Sequence, residues 1–563
     1  MKAVLTALWL SMVCVVAQIP GTTPISTPIA PYSTTNTYAT HLAQYGKGGF
    51  RSVATTADRD AIAAERREVG MLVYCADVDQ VYKLAANLTS WVSTGISESA
   101  QSVNTVGELL AIPTNTLASG TVVAVMGRTS AADWGKPRFA RWDPTSNGGT
   151  NYICTFGTGP TGRWIFDDYR EGYIRPEWSM RFDYNAAKNG IEDAMGIAST
   201  NSVILFGPYR YITDPIQINN SRFLWVGLSR MGAFNNAQFD DRTTIQRSAG
   251  SSTSPLITVP SGVSGDFYGL TINGNKSGQS AVSDGVYIAG SGYYGVFFEH
   301  CHVTYASGHG VHTVDRPYVY FIHSLMQWNG QDGYHAETPV DHVWDHSFSG
   351  KNGGNGLWLS NFTSVRFTTL DSFQNLGHGL ALIDGGAGSG SVYINGGQIQ
   401  MNGQHGILLK GSVKFIGLND LMVERANMDY VAGVWTNTAP SGTYSTICVE
   451  TNSGGSYPRN VWLSQSTIGY VENTSSTRPK YHIEDKTGSG LSSWTFRSVV
   501  FVTNAVSPVA GIYSGDRATL DLDETVDYPT GSPYSQRSID RLTVGSSSMD
   551  TNYVFSSSGS AVL

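Results

Sequence analysis

A glycine opens a short, strand-like run at Gly285 (GVYIA), Gly310 (GVHTV), Gly333 (GYHAE), Gly356 (GLWLS), Gly379 (GLALI), Gly406 (GILLK) and Gly433 (GVWTN), at intervals of 25, 23, 23, 23, 27 and 27. A chain that repeats at this period folds as a stack of like units, each burying its apolar face only against its neighbours. The fixed leucine pattern of a leucine-rich repeat is missing, and the alternation has the period of two of a strand. Asn-Gly, Gly-His and Gly-Gln pairs supply the turns, so a parallel β-helix is the solution that fits. Composition agrees: 563 residues are too many for one compact globule, while 63 glycines, 41% apolar and 11% aromatic residues are too rich for a disordered chain. Charged residues are only 14%, against roughly 25% in ordinary globular proteins, which argues against a helical bundle.

Two further columns keep the register. Twelve residues before Gly310, Gly333, Gly356 and Gly379 stand Phe298, Phe321, Trp344 and Phe367, one aromatic per coil, which predicts interior packing. Two residues later come His300, His323, His346 and Thr369. Histidines on successive rungs point in parallel rather than converging on one ion, so the column reads as a hydrogen-bonded structural ladder in preference to ligand contact or a metal site. Period-two alternation then divides the strand after each glycine. The first and third positions are apolar or small (Val286/Ile288, Val311/Thr313, Tyr334/Ala336, Leu357/Leu359, Leu380/Leu382, Ile407/Leu409) and point inward. The second faces out and reads Tyr287, His312, His335, Trp358, Ala381 and Leu408. Rings on four successive rungs make an exposed stripe suited to stacking on sugars, with Tyr287, His312, His335 and Trp358 as the substrate-binding candidates.

Carboxylates gather beside the stripe. Glu337 occupies the fourth position and Asp315 and Asp384 the fifth, Asp332 and Asp341 fall in flanking turns, and Asp345 and Asp371 belong to the neighbouring strand or turn. Glycoside hydrolysis needs two carboxyl groups, about 5 Å apart for retention or roughly 6.5–9.5 Å for inversion. Asp315 to Glu337 is one rung, about 5 Å, and Glu337 to Asp384 is two, about 10 Å. Turn aspartates also arise for local reasons, because they cap turn amides; a Glu at position 337 has no such reason. The catalytic candidates are therefore Glu337 first, then Asp315 and Asp384, with Asp345 and Asp371 in reserve. Val343–Ser347 (VWDHS) resembles the "vWiDH" segment of pectate lyases but lacks one residue. No Lys or Arg of the central rungs is an obvious proton-abstracting base, Arg316 and Lys351 being nearest. A hydrolase is the leading chemistry, a lyase the lesser one, and no metal or cofactor is expected.

The flanks carry other information. Met1–Ala17 (MKAVLTALWLSMVCVVA) has the build of a secretory signal peptide but is read here as an uncleaved, packed anchor, followed by a Pro/Thr/Ser-rich connector over Ile19–Tyr38. Ala57–Glu68 is dense in helix formers, and Met71–Tyr74 and Val81–Leu84 are strand candidates around an Asp-rich turn. The whole passage GGFRSVATTADRDAIAAERREVGMLVYCADVDQVYKLAANLTSWV resembles the short N-terminal module of bacteriophage tail fibres and tailspikes. SVNTVGELLAIP, VVAVMGRTSAADWG, FARWDPTS, GRWI and YIRPEW resemble the segment that precedes the β-helix in phage tailspikes. Where that family commonly has an Asp/Gly-rich "DGxxDD" stretch this chain has DYNAAKNGIEDAM, which keeps the helical pattern of Ala186–Ala198 but not the Asp cluster. Phe206–Ile218 resembles the first strand-turn-strand of the same fold.

The resemblance implies a mainly β chain: a right-handed parallel β-helix with small N-terminal attachment modules and a β-rich C-terminal cap. The expected divisions are an anchor and connector (1–46), an attachment module (47–96), a β-rich neck (97–176), a glycan-binding β-helix (177–512) and a cap for trimerisation (513–563). Asn460–Val471 and Ser493–Val502 still alternate like strands, and Val554, Phe555 and Val562 of the tail suggest burial against another subunit. By resemblance the chain is a homotrimeric tailspike of the virion tail, assembled in the host cytoplasm. It would bind and cleave a bacterial surface polysaccharide, capsule or O-antigen, and attach to tail, baseplate or portal-adaptor proteins through its N-terminus. The rivals are a non-catalytic receptor-binding spike and a secreted polysaccharide lyase. A net charge of −8 excludes a nucleic-acid partner. Cys14, Cys75, Cys154, Cys301 and Cys448, widely spaced and without a CxxC pair, read as reduced, inert thiols.

Overall fold

The computed structural model describes residues 50–94, 101–114, 117–130, 137–146, 155–156, 162–166, 173–179, 181–198, 203–219, 222–227, 243–291, 295–384, 390–426, 428–431, 434–437, 443–469, 482–486, 493–497 and 499–502, and short strands within 512–549. The Met1–Ala17 segment, the connector, Cys14, Cys154, Gly433 and the terminal Val554, Phe555 and Val562 lie outside them. Two compact units emerge, one ending at Ser102 with residues 120–122 added, the other holding the remainder. Among the described residues no helix is long and apolar enough to cross a membrane.

In the first unit, strands Phe50–Val53, Leu72–Cys75, Gln80–Leu84 and Trp91–Ser93 form one sheet over Met71, Val73, Cys75 and Leu84. The helix is much shorter than the charged run suggests, covering Thr56–Asp60 before a 3-10 turn at Ala64–Arg66. Thr55 and Asp58 start it with a reciprocal capping box. It stops because the Arg67 guanidinium takes the carbonyls of Asp60, Ile62 and Leu88, drawing the chain into a turn.

The second unit is a right-handed parallel β-helix. Before it come antiparallel strands Arg138–Asp143, Arg163–Phe166 and Thr155–Phe156 and the helix Lys188–Ile197, whose buried Ile191, Ala194 and Met195 join the main core. Each coil then gives one strand to an eleven-stranded sheet, here sheet A, and a bent pair or one long strand to a twenty-three-stranded sheet, sheet B. In sheet A, Val286, Val311, Tyr334, Leu357, Leu380 and Ile407 lie in parallel register. The inward positions are buried as the alternation requires. In sheet B the aromatic column stacks inside, with 5.1 Å between the Phe298 and Phe321 rings and 4.9 Å between Phe321 and Trp344.

The histidine column has a backbone cause. His300, His323, His346 and Thr369 all sit at the corner between paired strands with φ of 53°, 47°, 43° and 54°, a left-handed conformation in which His is enriched. The rings stack face to face at 5.2 and 5.4 Å, so the ladder is one of stacking rather than hydrogen bonds between imidazoles. One repeat member is displaced. The rung after Ile407 is Ile447, while Val434–Asn437, the run following Gly433, pairs antiparallel with Met428–Val431 as a hairpin inserted between coils. A glycine and an alternating run serve a hairpin strand equally well, so the interval of 27 there is fortuitous. Parallel pairing also runs on through Thr519–Leu522 to Arg541–Val544, within the span assigned to the cap.

Inside the coils Asn329, Asn352, Asn375 and Asn402 are fully buried and linked amide to carbonyl, Nδ2 of each donating to Oδ1 of the next at 3.0, 2.8 and 2.9 Å. Each also accepts from a backbone N–H of the preceding coil, as Asn352 does from Asn329 N at 3.1 Å. This ladder explains the repeating glycine: a Cβ on Gly310 would stand 2.6 Å from Asn329 Nδ2 and 2.6 Å from the Gly333 carbonyl oxygen. Removing one member orphans buried donors and acceptors on both neighbours. Asn352→Ala should therefore destabilise the fold by about 3 kcal/mol, read as a lower denaturant midpoint; an unchanged midpoint would show that the ladder is dispensable.

Burial also depresses the imidazoles of His342, His405 and His482 to about 4. His342 shows the arrangement: its Nε2–H donates to the Arg316 carbonyl at 2.6 Å while Nδ1 accepts from the Tyr334 hydroxyl. Between the ordinary histidine value, about 6.5, and about 4, the unfolded chain binds more protons than the folded one. Their stabilisation is thus complete above about pH 6.5 and is lost as the pH falls through about 4. Thermal midpoints should fall steadily from pH 6.5 to 4; a flat profile there contradicts this.

Candidate functional site

The outer face of sheet A carries the stripe, but not in open solvent. Tyr287, His312, His335 and Trp358 are all half-buried, and Ala381, Leu408 and Cys448 on the following rungs are buried in a small apolar cluster outside the coil. Beside them runs the residue just before each repeating glycine. Asp284, His309, Asp332, Asn355, His378 and His405 form a second ladder, in which the backbone N–H of each donates to a side-chain acceptor of the one before: His309 N to Asp284 Oδ1 at 2.8 Å, Asp332 N to His309 Nδ1 at 3.2 Å, Asn355 N to Asp332 Oδ1 at 2.6 Å, His378 N to Asn355 Oδ1 at 2.8 Å, and His405 N to His378 Nδ1 at 3.2 Å. Burial depresses two of its imidazoles, to about 4 at His309 and about 3 at His378.

The two aspartates of this ladder have a second oxygen to spend. Asp284 Oδ2 holds His312 Nδ1 at 2.9 Å, and Asp332 Oδ2 holds His335 Nδ1 at 2.7 Å. Burial raises the Asp284 carboxyl, yet the hydrogen bonds from His312 and the His309 amide bring it below its ordinary value. Because Asp284 belongs to the coil before His312 while Asp332 belongs to the coil of His335, the two imidazoles turn in different directions. Their planes cross at 84° with centroids 4.9 Å apart, unlike the parallel rings of the corner column. Both Nε2 atoms face the Glu337 carboxylate, each 3.7 Å from Oε1. Trp358 lies flat on His335 at 4.0 Å and 9°, and a groove of about 310 Å³ continues from Trp358 past His378 and Ile383 to Leu408.

Of the residues picked out by sequence, Glu337, His312, His335 and Trp358 thus come together, with Tyr287 edge-on to His312 at 5.2 Å. The other carboxylates have partners of their own. Asp315, left-handed at φ 51°, pairs in register with Thr338 and takes its hydroxyl. Asp384 is wholly buried and accepts from Ser412 Oγ. Asp345 accepts from the adjacent His346 at 2.7 Å, and Asp371 lies on sheet B in a groove with Lys351 and Gln398, its carboxyl raised by burial. Position five follows the last residue of the strand, and there Asp315 is exposed while Asp384 is buried. Of the lyase bases, Arg316 is fully buried and Lys351 rests over Trp328, 5.3 Å from the ring centroid. The described Cys75, Cys301 and Cys448 are buried free thiols, Cys301 raised by burial to about 12. Sequence reasoning missed Asp284, His309 and the pairing role of Asp332, although all three share one signal, the position immediately before the repeating glycine.

No protein-family model and no curated protein matches the chain. Solved structures do. Full-length tailspike protein 2 from an Escherichia coli O157:H7 bacteriophage is similar at 12% identity and a TM-score of 0.50, over 88% of this chain and 65% of its own. The enzymatically active domain of tailspike protein 2 of bacteriophage CBA120 is similar at 13% identity and a TM-score of 0.49, over 79% of this chain and 62% of its own. The tailspike of an Acinetobacter baumannii bacteriophage, a capsular polysaccharide depolymerase, is similar at 10% identity and a TM-score of 0.37, over 73% of this chain and 75% of its own. The chain spans a little under two thirds of the length of the first two. What it shares with the full-length tailspike at this identity is the fold, a parallel β-helix.

Proposed function

We propose that the chain is a phage tailspike that binds a bacterial surface polysaccharide, capsule or O-antigen, along the outer groove of sheet A and hydrolyses it at the His312–His335–Glu337 cluster. One observation carries the reading: two aspartate-held imidazoles face a single half-exposed carboxylate, with Glu337 at 47% side-chain exposure, beside a tryptophan platform. Hydrogen bonds from Nδ1 to Asp284 and Asp332 fix which nitrogen of each ring faces outward, as second-layer carboxylates do in many active sites. Glu337 in its acid form then gives a proton to the departing glycosidic oxygen, and an adjacent imidazole, through its free Nε2, takes one from the water that attacks the sugar. A sugar stacked on Trp358 is held against both. The homotrimer, attachment to tail proteins through the N-terminus, and residence in the virion tail complete the proposal and rest on the resemblances of the N-terminal segments.

The test is incubation of purified protein with the polysaccharide of its host, following new reducing ends and ultraviolet-absorbing unsaturated ends. Reducing ends without absorbance support hydrolysis, and absorbance replaces it with a lyase. Glu337→Gln should slow cleavage by at least ~100-fold, the scale of a lost acid–base group, with binding retained. Trp358→Ala should weaken binding about tenfold, the loss of a stacking contact. Undiminished cleavage by Glu337→Gln would move the reaction elsewhere.

A further inference from the structure

Two of the histidine arrangements among the described residues differ in what they could offer a metal. At the sheet B corner, His300, His323 and His346 stack with interplanar angles of 10° and 28°, so their nitrogens run parallel and reach no common point. On sheet A the crossed rings of His312 and His335 aim Nε2 at the same carboxylate oxygen. Each Nδ1 is already committed to an aspartate, at 2.9 and 2.7 Å, which in the neutral ring leaves the lone pair on Nε2. His312 Nε2 is buried and has no hydrogen-bond partner, and 3.7 Å to Glu337 is too long to supply one.

We propose that His312 Nε2, His335 Nε2 and the Glu337 carboxylate bind a divalent first-row transition metal, zinc in the first instance, with Asp284 and Asp332 orienting the two imidazole ligands. The three ligand atoms lie within 4.8 Å of one another. The nitrogen–oxygen edge of a tetrahedral zinc site with bonds of 2.0–2.2 Å is about 3.4 Å, so the 3.7 Å separations close with a small rotation of the Glu337 side chain. Imidazole with carboxylate is a donor set for zinc and its neighbours rather than for calcium or magnesium. Three protein ligands on the half-exposed side of the groove leave a fourth position for water or a sugar hydroxyl, the pattern of catalytic rather than structural zinc. The carboxylate–histidine pairs behind the ligands are those that raise ligand basicity and fix ring orientation at metal sites.

The proposal rests on the reading of the same cluster and replaces its proton carriers: an ion held there would occupy Glu337 and both Nε2 atoms, and a water on its fourth position would take over their role, so its test is binding, measured without polysaccharide. The full-length chain is dialysed against a chelator, then titrated with zinc by calorimetry and with cobalt(II) by visible absorption. Wild type should take up one equivalent and show the intense bands of low-coordinate cobalt. Glu337→Gln, half-exposed and so harmless to folding, and His335→Ala should lose the equivalent. Asp332→Asn should weaken binding 10–100-fold, as loss of an outer partner does, whereas His346→Ala should leave it unchanged. Failure of wild type to bind an equivalent of either metal overturns the proposal, as does unchanged binding by Glu337→Gln and His335→Ala. Cleavage by a metal-free chain that binds no zinc removes the metal and leaves the proposed function standing; stoichiometric zinc with no cleavage of any polysaccharide does the reverse.

Discussion

In a parallel ladder the same position of successive coils recurs about 4.8 Å away along the axis, and almost every feature of this protein follows from that spacing. Like residues must be able to tolerate one another as neighbours. Aromatics do so by stacking, asparagines by passing an amide hydrogen to the next carbonyl, and corner histidines by lying face to face. Apolar rings and neutral amides satisfy this with no net charge inside the coil. The mixed polar ladder runs outside, where the residue before each glycine accepts a backbone N–H from the coil that follows.

That outer ladder breaks the repetition of the rings beside it. Had every coil carried the same residue there, each imidazole of the second column would have met the same partner and the rings would have lain parallel. Instead aspartate occurs at 284 and 332 with His309 between them. His312 therefore reaches back one coil for its carboxylate while His335 finds one in its own. The broken repeat crosses the rings and directs both toward Glu337.

Much of the coil was legible in the sequence for the same reason. The inward positions, the aromatic column and the Glu337–His335–Trp358 neighbourhood come directly from the period of 23 and the strand alternation. What escaped had local causes. Position five follows the strand, where Asp384 is buried against Ser412 and Asp315 accepts from Thr338, neither of which counting rungs can reveal. Gly433 opens a hairpin strand rather than a rung, because glycine and alternation do not distinguish the two. The asparagine ladder stands four residues before the repeating glycines from Gly333 to Gly406, and the outer ladder one residue before. Both were present as columns, hidden only because they fall in turns, where polar residues are expected for other reasons.

The central claim is that the crossed histidines, Glu337 and Trp358 form the surface on which polysaccharide lies. A crystal structure of the full-length Glu337→Gln protein with an oligosaccharide of its host polysaccharide tests this most directly. The account predicts a sugar ring stacked on Trp358, with a glycosidic oxygen within about 3 Å of residue 337 or of an imidazole Nε2. An oligosaccharide seated instead on sheet B, over the stacked Phe297 and Tyr320 rings, with the sheet A groove empty, would contradict it.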